Sequence, residues 1–360
     1  MTAPIATAAA ELLLYPLPGA VGGSGVTAVD VVAVDVQDAD GVTGTGFSYG
    51  LRGGGAVIRA AAQDLLDRLV VGEAPDAPAM LWRRIDGALN RLGRGAYYLA
   101  IAAIDLAVWD LHASQRGITL AEALGGRARS VPVYGSGGFR PDQAPEEVAE
   151  QARRLAARGF PMVKLRLAGD RGDLARMRAA REALPATVDV AVDTNEKCDL
   201  NRAQWLAHAC ADHGVLWLEE PLAATDYAAH AALARTSPVP IATGEHLQGA
   251  VECMPLFRDQ SCAVIQPDLA AMGGITDCLR VARLAEHFGV GCAPHFLPAL
   301  FVHLAAAAPS VTWLEDFPLL EPLFDVDVKV DDNQRIAPGD RPGHGLVWAD
   351  GAREEYRAAS

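Results

Sequence analysis

Three carboxylates recur at one interval. Asp193 lies in the run Val-Asp-Thr-Asn, Glu219 in Trp-Leu-Glu-Glu-Pro and Glu245 in Ala-Thr-Gly-Glu-His, with the same number of residues between successive acids. Each follows a short apolar, strand-like stretch, so one strand–helix unit separates it from the next. Parallel strands would then set the three side by side at their carboxyl ends. A single acid at a strand end is ordinarily a solvated residue; three at equal spacing form a pattern. Three neighbouring carboxylates stay ionised together only with a compensating cation. An all-oxygen donor set suits a hard divalent ion, Mg2+ above all, since it keeps positions for water or a substrate's oxygens. Glu220 competes with Glu219 for the ligand role; the spacing favours Glu219 and leaves Glu220 behind it or paired with Arg or Lys.

The neighbouring strand ends carry more chemistry. Val-Ile-Gln-Pro-Asp ends at Asp268, Cys-Ala-Pro-His at His295 and Trp-Leu-Glu at Glu315. An Asp–His pair gives an oriented, basic imidazole that takes a proton near neutral pH. Lys164 and Arg166, in Val-Lys-Leu-Arg, share one face of a strand because side chains repeat every second residue. Inside a barrel they are tolerable only against acids or an anionic ligand. His246, directly after Glu245, is a further candidate for the same mouth.

The elements that must position these groups follow from patterning. Val26–Gln37 alternates like a half-buried strand, Asp40-Gly41 is a hairpin turn, and Val42–Tyr49 returns. Helical spacing covers Ala56–Val70, Ala77–Asn90 and Tyr97–Ser114, and the glycine-rich stretches Pro18–Gly25 and Gly50–Gly55 read as mobile loops. From about Val131, strand-like runs alternate with amphipathic helices through Thr312–Leu314, which means a parallel sheet with helical crossovers. The number of units favours a closed (β/α)8 barrel over an open doubly wound sheet, which would need a glycine-rich dinucleotide loop after its first strand. Beyond Leu320 the alternation stops: Asp325–Val330 reads as a strand, and a Pro/Gly-rich tail follows that must pack back on the N-terminal unit.

The chain has 360 residues, 51% hydrophobic and 21% charged, with 31 Lys and Arg against 45 Asp and Glu and a formal charge of −14. Such an acidic chain repels phosphate backbones and anionic bilayers, so neither nucleic acid nor membrane is an expected partner. The longest apolar runs are a few residues, far short of a span, and Met1–Leu14 lacks the basic start of a secretory leader. The six cysteines form no C-x-x-C pair and read as buried reduced thiols of a cytoplasmic protein.

Taken together, Val-Lys-Leu-Arg, Val-Asp-Thr-Asn, Leu-Glu-Glu-Pro, Gly-Glu-His, Gln-Pro-Asp with the following Gly273-Gly274, Pro-His and Trp-Leu-Glu resemble the enolase superfamily, in its mandelate racemase/muconate lactonizing enzyme branch. The resemblance covers nearly the whole chain. It implies an α/β architecture: a modified (β/α)7β TIM-type barrel over residues 126–320, under an α+β capping domain built from residues 1–125 and from the segment 321–360 that returns to it. It implies that Asp193, Glu219 and Glu245 ligate Mg2+, and that Asp268 and His295 are the dyad of the mandelate racemase subgroup. Glu315 is similar to the acid that hydrogen-bonds the substrate carboxylate, as a protonated acid or beside a cation. Ser136 and Asn195 match substrate-touching positions, and the loop Pro18–Gly25 would read the substrate's distal end. A dimer or octamer is also implied, acting on a small carboxylate.

One departure from the family pattern decides between reactions. The subgroup usually has a second lysine, a base on the face opposite the histidine, where this chain has Arg166. Arginine stays protonated, so racemisation would require redirecting Lys164. Dehydration of a sugar acid or hydroxy diacid needs one face only, if His295 removes the α-proton and returns it to the departing β-hydroxyl. The expectation is therefore a hydro-lyase giving a 2-keto-3-deoxy acid through a metal-stabilised enediolate. A racemase or epimerase with the same metal site is the alternative, and a non-enzymatic barrel with a structural metal the third reading. The cycloisomerase and dipeptide-epimerase branches, which usually carry lysine in place of the histidine, fit less well.

Overall fold

The structure is a computed structural model that describes residues 3–21 and 25–358. It opens with an antiparallel meander of β1 (Ile5–Val21), β2 (Val26–Asp38) and β3 (Thr43–Gly50). Then come α1 (Gly55–Leu65), which runs on through a π-type turn, α2 (Pro78–Ala88), α3 (Ala96–Ser114) and α4 (Leu120–Ala123). The valines of β2 and the apolar stripe of α3 form the core between them. The two pack closely because β3 reads Thr-Gly-Thr-Gly: a Cβ on Gly46 would stand 2.2 Å from the Ala103 carbonyl oxygen. Against the expectation that every apolar run falls far short of a span, the helix α3 is long and apolar enough to cross a membrane by composition, but its apolar window is 78% buried inside the protein.

The barrel follows as β4 (Val131–Gly135), α5 (Pro145–Ala157), β5 (Met162–Arg166), α6 (Asp173–Ala183), β6 (Asp189–Asp193), α7 (Leu200–Asp212), β7 (Val215–Glu219), α8 (Tyr227–Ala234), β8 (Ile241–Thr243), α9 (Ala250–Arg258), β9 (Val264–Ile265), α10 (Ile275–Phe288), β10 (Gly291–Cys292), α11 (Pro298–Ala307) and β11 (Leu314–Asp316). β4 to β10 are parallel neighbours in order, and β11 pairs parallel with β4. A bridge from Cys292 to Val311 closes the ring. Among the described residues this is a modified (β/α)7β barrel, with no helix between β11 and β4 on the closing side. All six cysteines are buried and unpaired.

The tail comprises β12 (Phe324–Val326), β13 (Val328–Val330), β14 (Arg335–Pro338), β15 (Leu346–Trp348) and α12 (Ala352–Tyr356). It returns to the N-terminal sheet: Arg353 bridges Glu11 and Asp35 at 2.7 Å each, and Phe47 packs against a tilted Phe324 and an edge-on Trp348. It also does something the sequence reading lacked, since β14 pairs antiparallel with β4 and so covers the barrel where it closes.

Three expectations change. β1 extends to Val21, where it pairs with Val26, so residues 18–21 belong to a strand and not to a loop. Residues 22–24 of that expected loop lie outside the described residues. The single strand expected over Asp325–Val330 is two strands broken at Asp327, whose backbone N–H donates to the Gly345 carbonyl and whose carboxylate accepts from Arg341 N–H. The 50–55 stretch is a tight turn, with Gly55 already starting α1.

His303 in α11 joins α4 to the tail. Its Nδ1 accepts from the Ala121 N–H (3.1 Å) and its Nε2 donates to the His344 carbonyl (3.1 Å), an arrangement that requires a neutral ring. Burial, then the neighbouring His344, pushes its pKa down to about 4. A base depressed in the folded state contributes full stability above the ordinary 6.5 and loses it as the pH falls toward 4. This ring alone should cost about 2 kcal/mol at pH 5 relative to pH 7.5. Denaturant titrations should show a smaller difference between those two pH values for His303→Gln than for the parent protein; an equal difference would remove His303 as its source.

Candidate active site

The barrel interior is built in two tiers, because inward positions repeat every second residue. The lower tier is apolar: Tyr134, Met162, Ala191, Trp217 and Ala242 cluster, with Val264 and Trp313 against them. Two residues further along the same strands come Ser136, Lys164, Asp193, Glu219, Gln266 and Glu315. The aromatic plug thus keeps water out from below and fixes the height at which the polar groups emerge. Asp193 and Glu219 are direct partners across β6 and β7. Glu245 stands past the end of β8, beyond Gly244, whose φ of 131° only glycine adopts readily.

Lys164 is the cation at the centre. Its Nζ lies 2.5 Å from Glu219 Oε1, 2.7 Å from Glu315 Oε1 and 3.8 Å from Asp193 Oδ2, and it is 3% exposed. Burial alone would discharge it, but the surrounding carboxylates raise its pKa well above the usual lysine value. Burial would also neutralise Glu315, yet Lys164 and then His295 hold its carboxyl down to about 2. Its other oxygen accepts from the Phe296 N–H at 3.0 Å. The donor on this side is therefore the Lys164 ammonium, and Glu315 sits beside it as a carboxylate. Arg166 lies 2.7 Å from Asp193, a charge contact without an aligned hydrogen bond. Lys164 and Arg166 both face the acids, as their spacing requires.

A second layer surrounds this one. Glu220, also buried, accepts from His246 Nδ1 at 2.9 Å, a contact that, against partial burial, joins other acids in raising the ring's pKa to about 9. Asn195 reaches Glu220 and Glu245 at 3.4 and 3.5 Å. Asn195 N–H donates to Asp193 Oδ1 at 2.7 Å. Burial, then repulsion from Glu245, pushes Glu220 up to about 8. Ser136 is buried at the end of β4, its N–H donating to the Asp316 carbonyl.

Six carboxylates (Asp193, Glu219, Glu220, Glu245, Asp268 and Glu315) thus face two permanent cations. The Asp193 Oδ2 and Glu245 Oε2 atoms are buried without a hydrogen-bond donor. Excess negative charge and orphaned oxygens fit a hard dication. Among the described residues, the set whose ligand atoms already lie within 4.8 Å of one another is a different one, Glu196, Glu220 and His246. That set mixes nitrogen with oxygen and includes a half-exposed histidine, so the all-oxygen set built on the orphaned atoms suits Mg2+ better.

The imidazole lies across the mouth. His295 Nδ1 is 2.9 Å from Asp268 Oδ2, while Nε2 points inward, 3.5 Å from Glu245 Oε2. Burial opposes a charge on this ring, but Glu245 and Asp268 raise its pKa to about 10. The Asp268 loop is pinned by the N-terminal unit. Trp82 Nε1 donates to the Gly273 carbonyl (2.7 Å), and Asp105 accepts from Thr276 (2.6 and 2.8 Å). A Cβ on Gly274 would fall 2.5 Å from the Asp105 carboxylate, which explains the Gly273-Gly274 pair seen in the sequence.

Residues 6–125 match the family model described as mandelate racemase / muconate lactonizing enzyme, N-terminal domain, and residues 147–352 that of the enolase C-terminal domain-like family. The chain belongs to the mandelate racemase/muconate lactonizing enzyme family of the enolase superfamily. It is 34% identical over 331 residues to L-talarate/galactarate dehydratase of Salmonella typhimurium, covering 91% of this chain and 83% of that one. It is 31% identical to 3,6-anhydro-alpha-L-galactonate cycloisomerase of Streptomyces coelicolor, covering 94% and 95%. The crystal structure of L-talarate dehydratase from Polaromonas sp. JS666, complexed with Mg and L-glucarate, superposes with a TM-score of 0.93 at 34% identity, covering 99% of this chain and 98% of that one.

Against this mandelate racemase/muconate lactonizing enzyme background, sequence reasoning missed several groups at the site. Gln266 Nε2 and Trp217 Nε1 both donate to Glu219 Oε2, at 2.7 and 3.2 Å. Tyr134 lies with its ring 5.7 Å from Lys164 Nζ. All three stand two residues before a residue already singled out, so inward alternation was the available signal. Removing the ammonium should expose the strain of the cluster: Lys164→Met leaves Glu219 and Glu315 buried and unpaired, which should lower unfolding free energy by roughly 3–5 kcal/mol. A loss below about 1 kcal/mol in urea titrations would mean the acids are held by something else.

Proposed function

We propose that this chain is a Mg2+-dependent sugar-acid dehydratase, a hydro-lyase acting on a small polyhydroxy carboxylate. The observation that carries the reading is the His295–Asp268 pair, whose free imidazole nitrogen faces the carboxylate cluster around Lys164. The dehydratases among its relatives support it, as do neighbours crystallised with Mg and sugar acids. Mg2+ would be held by Asp193, Glu219 and Glu245, and when bound supplies a Lewis acid to a carboxylate whose charge grows as the adjacent proton leaves.

The chain's own residues do the rest. Asp268 accepts the Nδ1–H of His295, and because Glu245 is the first charge that holds the ring protonated, a dication on Glu245 would lower the imidazole's pKa and let Nε2 take the α-proton. Lys164 places a permanent N–H donor beside the carboxylate on which negative charge develops, and Glu315 holds that donor in place. Arg166, tied to Asp193, stays charged and serves anchoring of an anion or hydroxyl. The protonated His295 then gives its proton to the β-hydroxyl. The C–O bond breaks, water leaves, and the enol tautomerises to a 2-keto-3-deoxy acid. Ser136, Asn195 and His246 stand around the mouth where substrate hydroxyls would lie.

The test is a panel of aldonic and aldaric acids with Mg2+, read by formation of 2-keto acid. One or more should be converted, and His295→Asn should lower kcat by on the order of 10³-fold. An epimerised acid with no keto product would favour the racemase reading, and a ring-opened lactone the cycloisomerase one. The metal assignment has its own readout. In calorimetric titration Asp193→Asn and Glu245→Gln should weaken Mg2+ binding at least ~10-fold, while Glu196→Gln leaves it unchanged. The reverse pattern would move the ion to the Glu196, Glu220 and His246 cluster.

A further inference from the structure

One residue of the N-terminal unit reaches the dyad itself. Tyr49, next to last in β3, is buried, and its hydroxyl donates to Asp268 Oδ2 at 2.6 Å. That oxygen is the one that faces His295 Nδ1 at 2.9 Å. The other carboxylate oxygen accepts from the Ala271 N–H at 2.9 Å. The Tyr49 ring also packs on Phe296, the residue after the histidine, with centroids 5.1 Å apart. Burial, then the Asp268 charge, raises the phenol far above its usual pKa, and a backbone hydrogen bond from Ala270 opposes this only in part. The phenol therefore keeps its proton and donates it to Asp268.

We propose that Tyr49 is a positioning residue for His295: it fixes the Asp268 carboxylate so that one oxygen serves the phenol and the imidazole together, and the general base is fully oriented only when the N-terminal sheet is docked on the barrel. A carboxylate held by Ala271 alone can swing about its Cβ–Cγ bond. The phenol removes that freedom, and with it the freedom of the ring that Asp268 orients. Of the six carboxylates the Tyr49 hydroxyl bonds Asp268 and none of the three proposed metal ligands, so its loss should act on proton abstraction and spare substrate binding. The inference deepens the dehydratase reading, but its first readout does not depend on it.

Tyr49→Phe keeps the ring and removes only the hydroxyl. In protein labelled with 15N-histidine and measured with Mg2+, the Nδ1–H proton of His295, assigned by its disappearance in His295→Asn, should be sharp and protected in the parent. In Tyr49→Phe it should broaden or exchange at least ~10-fold faster, with the melting temperature reduced by a few degrees at most. With a substrate found by the acid panel, kcat should fall roughly 3- to 30-fold with KM within twofold. The primary isotope effect on the α-deuterated substrate should rise, a change that partial unfolding of the sample would not produce. An unchanged His295 resonance overturns the proposal, whether or not any sugar acid is turned over. An unchanged isotope effect and kcat overturn it too. If no acid is converted by the parent while the resonance responds as stated, the dehydratase reading fails and the positioning role stands.

Discussion

A buried ammonium holds this molecule's chemistry together. Lys164 would lose its proton in an apolar interior and Glu315 would gain one; at 2.7 Å each holds the other's charge, while Glu219, 2.5 Å from the same ammonium, is still pushed by burial up to about 7. Burying charges is costly even when paired, so the arrangement survives only because the barrel supplies the rest. Trp217 and Gln266 satisfy the second oxygen of Glu219, and the Phe296 N–H satisfies that of Glu315. The polar tier is therefore not a set of residues that happen to line a hole. It is one electrostatic unit with a net deficit of positive charge, and that deficit is what makes it receptive to a dication and an anionic substrate.

The N-terminal unit and tail hold the loop that carries Asp268. Trp82, Asp105 and Tyr49 all bond to the segment 266–276 that carries Asp268, from different elements of that unit. A loop ordinarily has the freedom to move; this one is held at both ends by the other domain. The tail ties that unit to the barrel, pairing with β4 through β14 and holding β1 and β2 through the Arg353 ion pairs to Glu11 and Asp35. Three regions distant in sequence are thus needed before the dyad has a fixed geometry.

Much of this was legible in the sequence, for a physical reason. Equal spacing of Asp193, Glu219 and Glu245 encodes the length of a strand–helix unit, and the alternation of Lys164 and Arg166 encodes the strand itself. Both are local periodicities, which a chain reveals without its partners. The helices Ile275–Phe288 and Tyr97–Ser114 were readable on the same grounds. What escaped were relations across long separations. Nothing near Tyr49 in the chain points to Asp268, and nothing near Arg335 announces that β14 will pair with β4. β1 escaped for another reason: its Ala- and Leu-rich run has no polar alternation, because one face packs on α1 and the other meets the returning tail. The break at Asp327 depends on Gly345 and Arg341, two residues contributed by the far side of a turn.

The floor of the barrel carries one more consequence. Trp217 is wholly enclosed, edge-on to Tyr134, and its indole N–H is bonded to Glu219. Any change in the field at that carboxylate is felt by an aromatic transition dipole a few ångströms below it, shielded from solvent quenching. The enzyme therefore contains its own optical gauge: among its six tryptophans this indole reports the state of the chamber above it, its share of the ultraviolet emission isolated as the difference from a Trp217→Phe variant.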